Sequence, residues 1–250
     1  MEPVERVFAR EFSTARYTVD AGDGHLPVTP SGACSHRLFI VGALTERLGG
    51  GDLMQARVAD PTGVFLVTVD WHNPDALETL GYIDPPVFVA VTARPVPGGS
   101  GDRACPALEV EAIRVVDRTA RDIWVLATAA ATLDRLEALR DGRGERAATA
   151  LRLYATTENE IREMAGMVRT ALATVREVPS PSRITPRAPA EILLDALKAM
   201  DSGLKGISIE DAVAAGVGSG LTASEARTAL EKLLAAGECY QPVDGTVKLI

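Results

Sequence analysis

Aromatic side chains are scarce, with two tryptophans, five phenylalanines and four tyrosines in 250 residues. A surface that holds nucleic acid by stacking base after base needs several exposed rings, so a rich stacking platform is excluded. Lysine is scarcer still, at four of 26 basic residues; the rest are arginine, the better residue for bidentate phosphate contacts and for stacking. The net charge is −8, and residues 36–118 carry seven basic against eleven acidic side chains. Such a balance gives no long-range attraction to phosphate, although a few arginines on one face are enough for a local groove.

Cysteine is equally uninformative as a scaffold. Cys34, Cys105 and Cys239 are odd in number, far apart and without CxxC or Cys/His spacing, which excludes a disulfide framework and a structural zinc site and fits a reducing cytoplasm. Apolar runs such as Val64 to Val69 fall far short of the roughly 20 residues needed to cross a bilayer. The opening "MEPVERVFAREF" is charged throughout, so no export signal and a cytoplasmic protein with no membrane partner are expected. There is no GxxxxGK[ST] loop and no GxGxxG after a strand. His25, His36 and His72 have no Ser or Cys at a motif spacing, and His72 reads as a solvated loop residue. The expectation is a protein that is not an enzyme and needs no cofactor or metal.

What is present divides the chain into five parts: an arm at 1–35, a barrel at 36–118, a helical assembly segment at 119–178, a linker at 179–188 and a C-terminal unit at 189–250. The arm is short amphipathic "VERVFAREF" followed by the Gly/Pro/Ser-rich "DAGDGHLPVTPSGACS". From His36 the pattern is strand-like: "HRLFIVGALTERL", a turn at Gly49 to Asp52, "LMQARVAD", a turn at Pro61 to Gly63, and "VFLVTVDW". Asn73 and Pro74 then suit the N-cap and first position of a helix, "NPDALETLG". "PPVFVAVTARPV" and "ALEVEAIRVVD" follow, joined by the polar loop "PGGSGDRAC". Five short strands with a helix between the third and fourth is the chain order of the oligonucleotide/oligosaccharide-binding (OB) barrel.

After Asp117 the period becomes helical. "RDIWVLATAAATLDRLEAL" places Ile123, Leu126, Ala130, Leu133 and Leu136 at three- and four-residue steps. A second run at 145–176 puts Leu151, Tyr154, Ile161, Val168, Leu172 and Val175 on one narrow stripe, interrupted at Glu158. Such a stripe is a seam for one partner helix, which is the preceding helix, a second copy or another subunit. The proline-dense "EVPSPSRITPRAP" reads as a linker. Beyond it, three helices and a hairpin at Asp244-Gly245 read as a winged helix-turn-helix, with a capping box at Thr222 and Glu225. The expected fold is thus α+β and multidomain: OB barrel, helical segment, winged helix.

Alternation on the third strand separates Phe65, Val67, Val69 and Trp71 from Val64, Leu66 and Thr68, and both sets are apolar. One set fills the barrel; the other has to be covered by helices, a partner or a ligand. Phe39, Phe65 and Trp71 are the candidate stacking residues, each with the alternative of being core, and Arg37, Arg57 and Arg94 are the candidate phosphate contacts. The third helix of the C-terminal unit sets Arg227 and Lys232 against Glu225 and Glu231, a balance that disfavours duplex readout and favours protein docking.

The blocks "REFSTARYTV", "RLFIVGALTE", "ARVADPTGVFLV", "PPVFVAVTARP" and "RDIWVLATAAATLDRLEAL" resemble the archaeal family of replication protein A-associated proteins, most clearly from about Pro3 to Leu139. The tail "LLDALKAMDSGLKGISIEDAVAAG" to "LLAAGECYQPVDGTVKLI" resembles the winged helix that ends the middle subunit of eukaryotic replication protein A. The resemblance implies an accessory subunit of a single-stranded-DNA-binding complex in DNA replication and repair, with the larger replication protein A polypeptide as partner and other replication or repair proteins as clients of the winged helix. The alternative within it is an assembly subunit with little DNA binding of its own. The family has no catalytic motif to carry over; its "VADPTG" turn matches Val58 to Gly63.

Overall fold

A computed structural model of the chain describes residues 4–20, 22, 24–96, 107–176, 187–200 and 206–250. The loop at 97–105, with Cys105, and most of the proline-rich segment at 179–188 lie outside the described residues.

Five strands close into a barrel: β3 (Leu38–Gly50), β4 (Leu53–Ala59), β5 (Val64–Asp70), β6 (Val87–Val96) and β7 (Ala107–Val116), in the order β3-β4-β5-β7-β6. All neighbours are antiparallel except β5 and β7, which run parallel. β3 is long because it serves both ends of the closure, pairing with β6 through Leu38 to Leu44 and with β4 from Ala43 to Gly50. A bulge between Leu44 and Glu46 bends it from one partner to the other. At Gly42 a Cβ would stand 2.5 Å from the Ala59 carbonyl oxygen, so only glycine lets the two backbones approach there. Alternation fills the interior with Ile40, Leu44, Val58, Phe65, Val67, Val89, Val91, Leu108 and Ile113, all buried.

Helix α2 (Pro74–Tyr82) closes one end of the barrel with Leu80, while Ile83 just beyond it is also buried. Its N-cap is Asn73, whose side chain accepts from the Ala76 amide and donates to the Val110 and Glu111 carbonyls, tying the helix start to β7. Arg47 of β3 caps the other end by donating to the Leu80 carbonyl at 2.9 Å.

The segment expected to be an arm is part of the core. Residues 4–35 contain a single helical turn, α1 (Ala9–Phe12), and the hairpin β1 (Tyr17–Asp20) with β2 (His25–Val28). Glu5 makes a parallel bridge to Leu38, Phe12 packs near Phe65, and Phe8 is fully buried against Trp124. The partners of these residues are distant in sequence, so the short amphipathic stretch does not by itself tell that it packs into the barrel core.

The helical segment has three helices: α3 (Arg118–Asp141), α4 (Glu145–Tyr154) and α5 (Glu158–Leu172). The run over 145–176, whose stripe the sequence shows interrupted at Glu158, breaks at Ala155, with φ 50°, and restarts from a capping box in which Thr157 and Glu160 satisfy each other's amides. α3 and α5 pack together and seal the outer side of β3 and β6: Trp124, Val125, Ala129, Met167, Val168 and Ala171 cover Val41, with Phe39, Ala90 and Val116 at its rim.

The C-terminal unit runs α6 (Pro189–Lys198), β8 (Ile207–Ser208), α7 (Ile209–Gly218), α8 (Ala223–Ala235), β9 (Cys239–Tyr240) and β10 (Thr246–Leu249), with the small sheet ordered β8-β10-β9. Expected as a unit set apart by a linker, it lies against α2 and β7 of the barrel.

Candidate nucleic-acid interface

Among the described residues nothing covers the outer side of β4 and β5. On β4 the residues alternate so strictly that Met54, Ala56 and Val58 fill the barrel while Leu53, Gln55 and Arg57 stand outside; on β5, Val64, Leu66 and Thr68 stand outside. Register places Leu66 beside Arg57, Thr68 beside Gln55 and Leu53 beside Asp70. Leu66 is 64% and Leu53 50% exposed, and Leu48 of β3 extends the same apolar strip. Such side chains are costly to leave in water unless something covers them.

Trp71 ends this face. It leaves β5 beside the β3–β4 turn, held by its amide bond to the Asp52 carbonyl at 2.9 Å, and the residue is 62% exposed. The His72 ring stacks on it, 3.7 Å between centroids and 29° between planes. His72 is held in turn by Asp70, which accepts from both its amide and its Nδ1 region at 3.0 Å. These hydrogen bonds keep the Asp70 carboxyl below its usual range. Stacking hides one face of each ring and holds the exposed indole in place at the end of β5.

Of the three candidate arginines only Arg57 is on β4; Arg94 is on β6 and Arg37 just precedes β3, and each stands beside a carboxylate. Arg57 stands 3.7 Å from Glu46, Arg94 donates to Glu109 at 2.6 Å, and Arg37 donates to Glu111 at 2.6 Å. Glu109 is in register with both Thr68 and Arg94, so this row links β5 to β6 through β7 and meets β4 at Gln55. Its hydrogen bond pushes the Arg94 guanidinium further up. All three pairs are partly exposed, where an ion pair is weak and exchangeable. A phosphate would have to compete with the carboxylate at every arginine.

The turn that follows β4 is tightly built. Asp60 Oδ1 accepts from the Thr62 and Gly63 amides and the Thr62 hydroxyl, while Oδ2 accepts from the Ala9 amide at 2.7 Å. Burial outweighs these bonds and raises the Asp60 carboxyl. The "VADPTG" stretch thereby anchors α1 to the barrel as well as setting the β4–β5 register.

Other candidates fall elsewhere. Phe65 points into the barrel and is 2% exposed, because alternation leaves no choice once Val67 and Val69 are inside; it offers no surface to a base. Phe39 is half-buried on the sealed side: its carbonyl accepts from Trp124 Nε1 at 2.7 Å and Arg6 lies 5.3 Å from its ring centroid. The stripe at 151–175 is used within the chain. Val168 is buried against α3, with Leu172 and Val175 beside it; Leu151 and Ile161 pack on Leu136 and Leu139. Tyr154 donates to the Val28 carbonyl at 2.6 Å and accepts from the Arg16 amide at 2.8 Å, so it holds the N-terminal hairpin. Of the three partners open to this seam, it takes the preceding helix.

The outward side of α3 was not singled out as a surface. Ile123, Leu126 and Leu133, with Ala130 on the same side, are exposed, whereas Trp124, Thr128 and Thr132 face inward. The Thr128 hydroxyl donates to the Trp124 carbonyl at 2.7 Å, and a threonine so satisfied tolerates burial. Leu53 and Leu66 were also missed, although both sets of residues on β5 being apolar was a sequence signal for them. Among the described residues no group of three His, Cys, Asp or Glu is placed to hold a metal ion, and no helix is long and apolar enough to cross a membrane.

By sequence the chain matches no protein-family model and no curated protein. Among solved structures it is similar to a replication protein A heterotrimer bound to single-stranded DNA, with 17% identity over 53% of this chain and 98% of that one and a TM-score of 0.41. It is similar to the S. pombe Stn1–Ten1 complex, with 12% identity over 51% and 90% and a TM-score of 0.43. The S. cerevisiae mitochondrial single-stranded-DNA-binding protein Rim1 matches at 18% identity over 32% and 92%, TM-score 0.27. Asparaginyl-tRNA synthetases match at comparably low identity. The OB assignment of the barrel rests on its own strand order and closure.

Proposed function

We propose that this chain is an accessory subunit of a single-stranded-DNA-binding complex of the archaeal replication protein A kind, acting in replication and repair without catalysing a reaction. The observation that carries the reading is a closed OB barrel sealed by helices along β3 and β6 and left open among the described residues along β4 and β5, where Leu66 lies beside Arg57 and Leu53 and the Trp71–His72 stack lie at the other end of the strand pair. A strand crossing that face meets one stacking position, worth about 1 to 3 kcal/mol, and arginines already shared with carboxylates. Its grip is modest and strengthens when a larger subunit binds the same strand, because the second contact becomes intramolecular. Fluorescence anisotropy of a labelled oligo-dT at low salt tests this: binding that weakens about tenfold or more in Trp71→Ala supports the reading, and a probe whose anisotropy never rises removes it.

The assembly reading is favoured by a separate observation, the outward stripe Ile123, Leu126, Ala130 and Leu133 on α3, whose spacing is that of a helix-pairing seam. In this reading the larger subunit covers that stripe. Leu126→Asp is expected to abolish co-purification with it while leaving the chain folded, since Leu126 contributes to no buried cluster. We further read the C-terminal unit as a winged helix, supported by its element order and by the β8-β10-β9 sheet, with protein clients rather than duplex DNA.

A further inference from the structure

At the turn end of the open barrel face the chain builds a second cleft. The Ala9 amide is held by Asp60, and the amide of the next residue, Arg10, donates to Thr62 Oγ1 at 3.1 Å, so Arg10 stands directly beside the turn that joins β4 to β5. From there a cleft of about 310 Å³ runs between α1, the start of β1 and α5, with Arg10, Arg16, Tyr17 and Tyr154 in its lining. Tyr154 is fixed by its bonds to the Val28 carbonyl and the Arg16 amide. Tyr17 stands edge-on to it, 4.9 Å between centroids and 79° between planes, and remains 44% exposed.

The charge here differs from that of the barrel. Arg57, Arg94 and Arg37 each stand beside a carboxylate, whereas Arg10 and Arg16 are exposed and carry no ion pair or side-chain hydrogen bond among the described residues. Three carboxylates line the cleft. Glu11 is engaged by Arg135, and Glu160 accepts from the Thr157 amide and hydroxyl, which hold its carboxyl below the usual range. That leaves Glu163 against two guanidiniums. A guanidinium with no carboxylate to displace gives a phosphate its full contact, and an exposed ring beside it gives a base a stacking surface. Among the described residues the exposed aromatics are Trp71, Tyr17 and Tyr240, and Tyr240 belongs to the C-terminal unit. The outward residues Leu66 and Val64 lead from the Trp71 end of β5 to the Thr62 turn, a distance of about 20 Å at the usual rise of a strand.

We infer that this cleft is a second contact for single-stranded DNA, in which Arg10 and Arg16 take phosphates and Tyr17 takes a base, so that a strand held at Trp71 continues along β5 and past the Thr62 turn onto the N-terminal segment. This path rests on the strand-binding reading of the barrel face and adds the place where the strand leaves it. The two contacts divide the work: the barrel face offers a ring and arginines shared with carboxylates, and the N-terminal segment offers unshared charge. Asp60 and Thr62 anchor α1 to the barrel, so the second contact stands at a set distance from the first, and one strand engaging both binds more tightly than it binds either.

The test uses the full chain and a fluorescein-labelled oligo-dT of about 16 nucleotides, the upper end of what one OB barrel occupies. Arg10→Gln with Arg16→Gln is expected to weaken binding about tenfold and to lower the slope of log K against log salt by about 1.4, the share of two phosphate contacts on a single strand. The unfolding midpoint is expected to stay in place, since both side chains are exposed. Trp71→Ala, measured alongside, separates the cleft from the barrel face. If Trp71→Ala weakens binding while the arginine pair leaves affinity and slope unchanged, the strand uses the barrel face alone and the inference is overturned; if the unaltered chain never binds the probe, both readings fall. Should the double substitution unfold the protein, irradiating the unaltered chain bound to an oligonucleotide that carries 5-iododeoxyuridine decides the matter. A cross-link at Tyr17 supports the second contact, and a cross-linking pattern that lacks Tyr17 overturns it.

Discussion

The two tryptophans stand on opposite sides of the same barrel. Trp124 is 2% exposed, its Nε1 bonded to the Phe39 carbonyl and its ring edge-on to Phe8; Trp71 is 62% exposed, with only His72 against it. The two side chains are chemically the same, one at the end of a strand and the other in a helix. What decides their exposure is that a 24-residue helix and a helix pairing with it cover one side of the sheet, and none of the described residues covers the other. A barrel closes on itself and has no bare edges, so only the covering of its outer faces decides where it can bind.

The comparison is broken most severely on the covered side. Trp124→Ala removes a ring and its hydrogen bond from a filled site and is expected to cost about 3 to 5 kcal/mol of folding stability, read by denaturant unfolding; Trp71→Ala in the same experiment should change little. If both lose comparable stability, the contrast between the two faces is wrong.

Next in size is the ion pair that ties the N-terminal segment to α3. Glu11 is buried, accepting from the Thr29 hydroxyl at 2.7 Å and from Ser31, and Arg135 reaches it at 3.3 Å and Glu5 at 3.0 Å. Arg135→Met leaves a buried carboxylate without its cation and is expected to cost about 3 kcal/mol. Combined with Glu11→Gln it should cost distinctly less than the sum of the two single changes, since the pair is coupled. Strict additivity in that cycle would show the two groups to be independent.

The smallest effect sharpens the open side. Glu109→Gln releases Arg94 from its carboxylate, and oligo-dT binding should tighten severalfold, by about 1 kcal/mol or less, with a steeper salt dependence. Unchanged affinity and salt slope would place Arg94 outside the strand's path.

Much of the barrel was legible because it is written locally. Strict alternation on β4, the Asn73-Pro74 helix start and the Asp60 to Gly63 turn each act within a few residues, and together they give five strands and a helix in order. The break was legible too, in the interruption of the stripe at Glu158, which is the first residue of α5. Phe65 was ambiguous: with apolar residues on both sides of β5, alternation separates two sets without saying which is inside.

The sequence alone determined the strands, their turns, the helix caps and the scarcity of rings and of positive charge, because these depend on neighbours a few positions away. Tertiary structure alone decided that the N-terminal segment is core, that the 151–175 seam meets α3, that Ile123, Leu126 and Leu133 face outward, that each candidate arginine stands by a carboxylate, and that α8 is capped by α2. Each of these depends on residues brought together from distant parts of the chain, such as Phe8 with Trp124 or Thr79 with Ala223. No local period encodes such a meeting, since it is set by which surfaces remain to be covered once the local elements have formed.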